Sequence, residues 1–220
     1  MNRRKILIGS TSFLVPSNQS WKILDENYSL SFGEYGDWGN NLLNINSDEV
    51  LVLTIFFEDL FGLKKHSYKK MQSTLKSLVD LVEARMQQTS QPLILCISYK
   101  DDDNLLNRMA SKSDLSKIKY WIFKKLETLS SNYSNLYIID LYKEFAKSGV
   151  EKCFDSRNWY FAHCHLSSHG LSIISESINK VLNHLYAQPS KVLVLDCDNT
   201  LWNGVIGEDG IKGVDLGSDG

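Results

Sequence analysis

Hydrophobic residues in this chain form short unbroken runs that are separated by longer segments of helical period. Apolar runs at residues 5 to 9, 50 to 57, 92 to 97 and 136 to 141 lack the polar alternation of a half-exposed strand. Such runs are typical of parallel strands that are buried on both faces. Residues 28 to 32 alternate well enough to form a further strand. The pattern predicts a mainly parallel sheet in which the run at 50 to 57 is a central strand.

Between these runs, apolar residues recur at intervals of three and four, which indicates amphipathic helices. The spacing predicts helices over about 68 to 88, over 115 to 129, and over a final segment that begins at Ser167 or Ser168. Strands that alternate with helices favour a sheet with helices packed on both faces. We therefore expect residues 1 to 187 to form one domain, a three-layer α/β/α sandwich.

A second region begins after residues 188 to 190, which we interpret as a linker. Residues 192 to 195 are all apolar, and the run again predicts a strand that is buried on both faces. Asp196 and Asp198 follow this strand. Strand alternation directs their side chains to one side and turns Cys197 into the core. Two carboxylates at the carboxyl end of a parallel strand suit Mg²⁺ and a phosphoryl group.

Composition and charge restrict the functions that are open to the chain. Its 220 residues are 43% hydrophobic, and the net charge of −2 without a long basic run argues against nucleic-acid partners. The apolar run near the amino terminus is too short for a signal peptide or a membrane span. The four cysteines lack the spacing of a disulfide framework. We therefore expect reduced thiols and a cytoplasmic protein.

The segment from Asp196 to Gly210 resembles a known family. Asp196-Cys197-Asp198-Asn199-Thr200 is similar to motif I of the haloacid dehalogenase (HAD) superfamily. The residues that follow, Leu-Trp-Asn-Gly-Val-Ile-Gly-Glu-Asp-Gly, narrow the resemblance to the FkbH-like branch. FkbH-like proteins load a glyceryl unit from a phosphorylated three-carbon donor onto an acyl carrier protein in polyketide pathways. The resemblance implies that residues 191 to 220 contain the first strand and loop of a Rossmann-like HAD domain.

This resemblance also implies roles for individual residues. Asp196 is expected to be the nucleophile that accepts the phosphoryl group, and Asp198 the general acid and base. Thr200 is expected to steady the loop beside the substrate, while Asp196 and the main chain at Asp198 hold Mg²⁺. The implied partners are a phosphorylated small molecule and the phosphopantetheine arm of an acyl carrier protein. The further phosphate and metal ligands of a HAD site are missing before Gly220, so we expect this form to be inactive as a phosphatase.

A second resemblance covers the first domain. The block His165-Leu-Ser-Ser-His-Gly170 is similar to the His-Leu-Ser-x-x-Gly block of SGNH (GDSL-type) hydrolases. It implies an SGNH-like, flavodoxin-like fold with a site where residues 9 to 12 meet residues 163 to 169. In this family an acid three residues before the histidine orients the imidazole. That position holds Ala162 here, and the nearest alternative acid is Asp155. We interpret the aromatic segment 159 to 161 as core or as a wall of the same pocket.

The nucleophile of such hydrolases lies in a Gly-Asp-Ser block after the first strand. This chain has Gly9-Ser10-Thr11-Ser12 there, so Ser10 or Ser12 is the candidate nucleophile, with Gly9 beside the substrate. The main hypothesis is the amino-terminal part of an FkbH-like phosphatase and glyceryl transferase. Two alternatives are a module without catalytic activity that binds a carrier protein or substrate, and an SGNH-type esterase or acyltransferase.

Overall fold

The computed structural model describes residues 3–15, 17–44, 49–61, 67–99, 114–187, 194–210 and 213. The chain divides into two compact units, Met1–Leu185 and Tyr186–Gly220. None of the helices in the described ranges is long and apolar enough to cross a bilayer.

The first unit is built on a parallel five-stranded sheet with the strand order β2-β1-β3-β4-β5. The strands are β1 (Arg4–Ser10), β2 (Tyr28–Phe32), β3 (Glu49–Phe56), β4 (Leu93–Ser98) and β5 (Leu136–Asp140). Each corresponds to a strand that the sequence predicts, and β3 is the central strand. The predicted run at 50 to 57 extends one residue past the end of the strand, because Phe57 already begins a helix.

In sequence, the described helices of this unit lie between the strands or come after the last strand. They are α1 (Lys22–Asp25), α2 (Trp38–Leu43), α3 (Phe57–Phe61), α4 (Tyr68–Gln88), α5 (Asp114–Asn132), α6 (Leu141–Ser148), α7 (Val150–Cys153), α8 (Ser156–Ala162) and α9 (Ser168–Tyr186). The three long helices, α4, α5 and α9, agree with the predicted ones. The short helices α3 and α8 were not predicted, and both carry residues of the site described below.

Burial along β3 shows that the sheet is covered on both faces. Leu51, Leu53 and Ile55 pack in one hydrophobic core with apolar residues of α4 and α5. Because side chains alternate along a strand, Val52 and Phe56 point to the opposite face, where both are also fully buried. The first unit is therefore a three-layer α/β/α sandwich, as predicted.

The strand order reverses at one point of the sheet. The chain leaves β1 to form β2 on one side and then returns to form β3 on the other side of β1. In open parallel sheets, ligands bind outside the carboxyl ends of the strands where the order reverses in this way. The segments that follow β1 and β3 are therefore expected to line any ligand site of this unit.

In the second unit, the predicted buried strand at residues 192 to 195 is not found where the structure describes the chain. Residues 192 and 193, like the linker residues 188 to 190, lie outside the described residues. Val194 and Leu195 are outside any strand and are 85% and 49% exposed. Cys197 is also exposed, so its predicted place in a core is wrong. An apolar run becomes a buried strand only when neighbouring strands pair with it.

Candidate functional site at the ends of strands β1 and β3

The centre of the site is a hydrogen bond between His165 and Asp59. Asp59 lies on α3, directly after β3, and His165 lies between α8 and α9. His165 Nε2 is 2.8 Å from Asp59 Oδ1, and the two side chains are only 17% and 7% exposed. Because an ionised carboxylate accepts hydrogen bonds and cannot donate them, Nε2 carries the hydrogen. The contact therefore fixes both the orientation and the tautomer of the imidazole.

Aromatic rings hold the imidazole from the sides. Trp159 of α8 stacks on His165 with ring centroids 4.3 Å apart and an interplanar angle of 14°, and Phe56 lies 5.6 Å away. The edge of Trp159 also contacts His163, which stacks in turn on Tyr35. The rings form a continuous row across the carboxyl ends of the strands. Such stacking leaves His165 little freedom to rotate away from Asp59.

Thr11 binds the other oxygen of the Asp59 carboxylate. Its hydroxyl donates to Asp59 Oδ2 over 3.2 Å and accepts from the backbone N–H of Phe56 over 2.9 Å. The backbone N–H of Thr11 donates to Thr54 O, which continues the β1 to β3 ladder beyond Ser10. Thr11 thus joins the ends of both strands to the carboxylate. Because His165 binds Oδ1 and Thr11 binds Oδ2, both oxygens of the Asp59 carboxylate have a hydrogen-bond partner.

Residues 9 to 12 and residues 163 to 169 meet as the second resemblance implies. Ser12 Oγ donates to the carbonyl of His163 over 3.0 Å, and the N–H of Phe13 donates to the same oxygen. His163 adopts the left-handed backbone conformation, with φ of 51°, at the end of α8. This conformation turns the chain so that one carbonyl receives both hydrogen bonds.

The two candidate serine hydroxyls have partners other than the imidazole. Ser10 Oγ accepts from the N–H of Ser12, and Ser12 Oγ donates to His163. Both serines are buried, at 6% and 2% exposure. Within the described residues, neither hydroxyl hydrogen-bonds to His165. A serine nucleophile therefore stays a prediction, and this arrangement does not place either hydroxyl against the base that would activate it.

Gly9 is buried beneath the site, where it makes room for Asn41 of α2. A Cβ atom at Gly9 would lie 2.8 Å from Asn41 Nδ2, and one at Gly33 would lie 2.4 Å from the same atom. The amide of Asn41 therefore fits against the bare backbone of two strand ends. This packing explains why the position holds glycine, and the predicted contact of Gly9 with substrate stays a prediction.

The acid that orients His165 differs from the one that the sequence suggested. Asp155 caps α8 by accepting from the N–H of Arg157 and pairs with the guanidinium of the same residue. These hydrogen bonds with Arg157 hold the pKa of Asp155 below its usual value. Its only link to His165 among the described residues is through the backbone, N–H to carbonyl over 3.0 Å. Asp155 is therefore not the partner of the imidazole, and Asp59 is.

The charge of Asp59 also affects neighbouring groups. The pKa of Tyr35 is raised, first by desolvation and second by the negative charge of Asp59. The pKa of Cys164 is raised chiefly by burial, and Asp59 adds to the effect while the hydrogen bond to Leu166 O opposes it. Asp59 is thus a local source of negative potential inside a ring-lined site.

The site residues that sequence reasoning missed are Thr11 and Asp59. Thr11 occupies the third place of the Gly-x-x block, where Gly-Asp-Ser hydrolases have their serine. Asp59 follows directly on the predicted central strand, and acids at such strand ends are candidates for ligand chemistry. The segment 159 to 161 was predicted to be core or pocket wall. Trp159 does line the site, but Tyr160 and Phe161 are 84% and 89% exposed.

The second unit holds the HAD-like motif in a compact turn. Asp198 Oδ1 accepts from the indole N–H of Trp202 over 3.0 Å and from the N–H of Ile206 over 3.3 Å. The N–H of Thr200 donates to Cys197 O. The turn is closed by a short helix, α10 (Ile206–Asp209).

The two acids of this turn, Asp196 and Asp198, are the predicted Mg²⁺ ligands. Asp196 is exposed, and one oxygen of Asp198 is already engaged by two N–H donors. Mg²⁺ needs a near-octahedral set of oxygen ligands. No group of three or more His, Cys, Asp or Glu side chains that could hold a metal occurs within the described ranges. Mg²⁺ in proteins is usually held by one or two carboxylates together with waters and substrate phosphates, so the assignment of Asp196 and Asp198 as its ligands stays a prediction.

Comparison with known proteins gives the fold. No protein-family model matches the chain, and no curated protein matches it either. A crystal structure of the N-terminal part of the protein BF1531 from Bacteroides fragilis, which contains a phosphatase domain and was complexed with Mg, superposes with a TM-score of 0.71 at 22% identity. The match covers 97% of this chain and 60% of that one, so this chain spans about three fifths of its neighbour.

A second solved structure resembles the chain more distantly. It is a member of the lipolytic G-D-S-L family from Veillonella parvula, with a TM-score of 0.50 at 15% identity. The match covers 81% of this chain and 97% of that one. Both likenesses concern the α/β architecture. The first unit of this chain therefore has an SGNH-like fold.

Proposed function

We propose that this chain is the amino-terminal portion of a HAD-type phosphatase and glyceryl transferase. In this proposal the protein dephosphorylates a phosphorylated three-carbon donor and loads the acyl unit onto the phosphopantetheine arm of an acyl carrier protein. The observation that carries the proposal is the block from Asp196 to Thr200 with its FkbH-like continuation to Gly210. Support comes from the neighbour with a phosphatase domain and bound Mg, whose N-terminal part shares the fold of nearly the whole chain.

In the same proposal, the SGNH-like unit binds the carrier protein or substrate and does not act as a serine hydrolase. Two features support this role. The hydroxyls of Ser10 and Ser12 are hydrogen-bonded to backbone groups. Nε2 of His165 is hydrogen-bonded to Asp59 and not to a serine. In a Ser-His-Asp triad the histidine must instead bind the serine with one nitrogen and the acid with the other.

The phosphatase assignment is tested on the protein encoded by the complete reading frame. Phosphate release from a phosphoglycerate should require added Mg²⁺ and should be lost in Asp196→Asn, while Asp198→Asn should slow it. Glu208→Gln, an exposed acid on the same turn, is the matched control and should retain activity. Loading is read from the mass of a carrier protein after incubation with the donor. Phosphate release that persists in Asp196→Asn would contradict the proposal.

The esterase alternative is separated by a different substrate. A serine esterase in the first unit should turn over p-nitrophenyl acetate with a burst of acyl-enzyme, and Ser10→Ala or Ser12→Ala should abolish the burst. The carrier-binding role predicts no acyl-enzyme in the wild type. Mass spectrometry of the protein after mixing distinguishes the two outcomes.

A further inference from the structure

The contact with Asp59 uses Nε2 of His165, and the second ring nitrogen, Nδ1, has no hydrogen-bond partner among the described residues. In the neutral imidazole, the hydrogen on Nε2 that Asp59 accepts leaves the lone pair on Nδ1. Within the described residues Nδ1 makes no hydrogen bond, and 17% of the side chain is exposed. Asp59 holds the ring in one tautomer, as carboxylates do for histidines whose other nitrogen binds a metal or a proton.

From this arrangement we infer that His165 Nδ1 is the basic atom of the first unit and that it accepts a proton from a thiol of a bound ligand. The S–H proton passes to Nδ1, and the sulfur keeps the electron pair as a thiolate. The resulting imidazolium is stabilised by the Asp59 carboxylate 2.8 Å away. Asp59 is a positioning residue in this step, because it acts only through His165.

The magnitudes of proton transfer favour a thiol over water or an alcohol. An alkyl thiol has an ordinary pKa of about 8.5 and an imidazole about 6.5, so the transfer is unfavourable by roughly 10². For water, with a pKa of about 15.7, the same transfer is unfavourable by roughly 10⁹. At equilibrium an imidazole therefore deprotonates a thiol roughly 10⁷-fold more than it deprotonates water.

The surroundings indicate that the thiol comes from outside the chain. Cys164 lies close in sequence, but its sulfur points to Leu166 O and is fully buried. The protein hydroxyls near the imidazole are bound elsewhere, as described for Ser10, Ser12 and Thr11. The ring of Tyr35, which is 52% exposed and stacks on His163, provides apolar surface at the edge of the site. The inference rests on the proposed function in one respect, which is that the ligand carrying the thiol is the phosphopantetheine arm.

The tautomer is tested first, by long-range proton–nitrogen NMR of the ¹⁵N-labelled protein at neutral pH. The wild type should show hydrogen on Nε2 and a bare Nδ1 for His165. In Asp59→Asn this preference should be lost, while Asp155→Asn should leave the ring signals unchanged. Hydrogen on Nδ1 of the wild-type ring at neutral pH overturns the inference.

The thiol chemistry is tested by acetyl transfer from p-nitrophenyl acetate to pantetheine and to mercaptoethanol. All variants carry Cys197→Ser, which removes the exposed thiol of the chain. The thiolate attacks the acetyl carbonyl, p-nitrophenolate leaves, and the imidazolium returns its proton to solvent. General-base catalysis predicts about 10²-fold faster transfer with wild type than with His165→Gln. His184→Gln, an exposed histidine outside the site, is the matched control and should retain the acceleration.

The outcomes separate the possible sources of the rate. Acceleration with pantetheine alone supports recognition of the whole arm, and acceleration with both thiols supports the base itself. Equal rates with wild type and His165→Gln overturn the inference, as does an acetylated serine whose loss in Ser10→Ala or Ser12→Ala stops the reaction. Phosphate release depends on Asp196 and not on His165, so the proposed function and this inference can fail independently.

Discussion

His165 and Asp59 lie 106 residues apart in sequence, yet the imidazole Nε2 and the carboxylate Oδ1 are in hydrogen-bond contact at 2.8 Å. The contact joins the loop before the last helix of the sandwich to the end of its central strand. It also decides which ring nitrogen is free, and therefore what the histidine can do. The other carboxylate oxygen binds Thr11, so a single acid connects both strands at the point where the strand order reverses.

The negative charge of Asp59 should be detectable in the titration of Tyr35. Asp59→Asn removes the second cause of the raised tyrosine pKa and leaves the first, desolvation, in place. A tyrosinate is then less disfavoured, so the pKa of Tyr35 should fall but remain above its ordinary value. Absorbance of tyrosinate against pH measures the change, and the difference from Tyr35→Phe identifies this residue among the 10 tyrosines. An unchanged pKa of Tyr35 would mean that the charge of Asp59 does not affect the ionisation of this tyrosine.

Gly170 should not tolerate even a methyl group. It lies in the first turn of α9, and a Cβ atom there would be 2.3 Å from the carbonyl oxygen of Cys153. Backbone must shift to relieve such an overlap, so Gly170→Ala should lower the free energy of unfolding by about 1–3 kcal/mol. Urea denaturation measures the loss. Gly39→Ala in α2, where nothing lies within 4 Å of the added atom, should be neutral or slightly stabilising.

The long elements of the fold could be predicted because their patterns span several turns or a whole buried strand. The apolar positions over 68 to 88 define α4 to the residue, and the run at 50 to 57 identifies the central strand. The short helices α3 and α8 could not be predicted, since five to seven residues do not show a period. Exposure of Tyr160 and Phe161 was missed for the same reason.

The site was predicted in position and only partly in composition. Residues 9 to 12 and 163 to 169 meet as expected, because the sheet topology brings them together. The acid was sought near His165 in sequence, at 162 or 155, whereas the fold supplies Asp59 from another strand end. Local spacing cannot reveal a partner of this kind. The run at 192 to 195 shows that an apolar sequence alone does not predict burial, since Val194 and Leu195 are exposed.

Arg85 should be a main stabilising residue of the region under the site. It is buried at 3% exposure, and its Nη1 donates to the carbonyls of Asn41, Leu42 and Asn44 at the end of α2. Burial lowers its pKa, but the guanidinium stays charged at neutral pH. Arg85→Met leaves these carbonyls without their donor, which should cost about 3 kcal/mol of unfolding free energy.

The cost at Arg85 is measured as a lower urea midpoint at unchanged slope. Lys76→Met on the exposed face of the same helix is the matched control and should change the midpoint little. Because α2 carries Asn41 against Gly9, Arg85→Met should also perturb NMR signals of residues 9 to 12. A midpoint equal to that of the control would show that the three carbonyls are satisfied without the guanidinium.

The four cysteines should differ sharply in reactivity, because the thiolate is the reactive form. Burial raises the pKa of Cys96 to about 12 and also raises the pKa of Cys153 and of Cys164, while Cys197 is exposed. At about pH 8 a thiol of pKa 12 is thiolate in only ~10⁻⁴ of molecules, against about a quarter for an ordinary thiol. A thiol-specific reagent should therefore label one cysteine rapidly in the native protein and all four in denaturant. Cys197→Ser should abolish the rapid phase, and rapid labelling of Cys164 in that variant would show that the segment beside His165 opens in the native state.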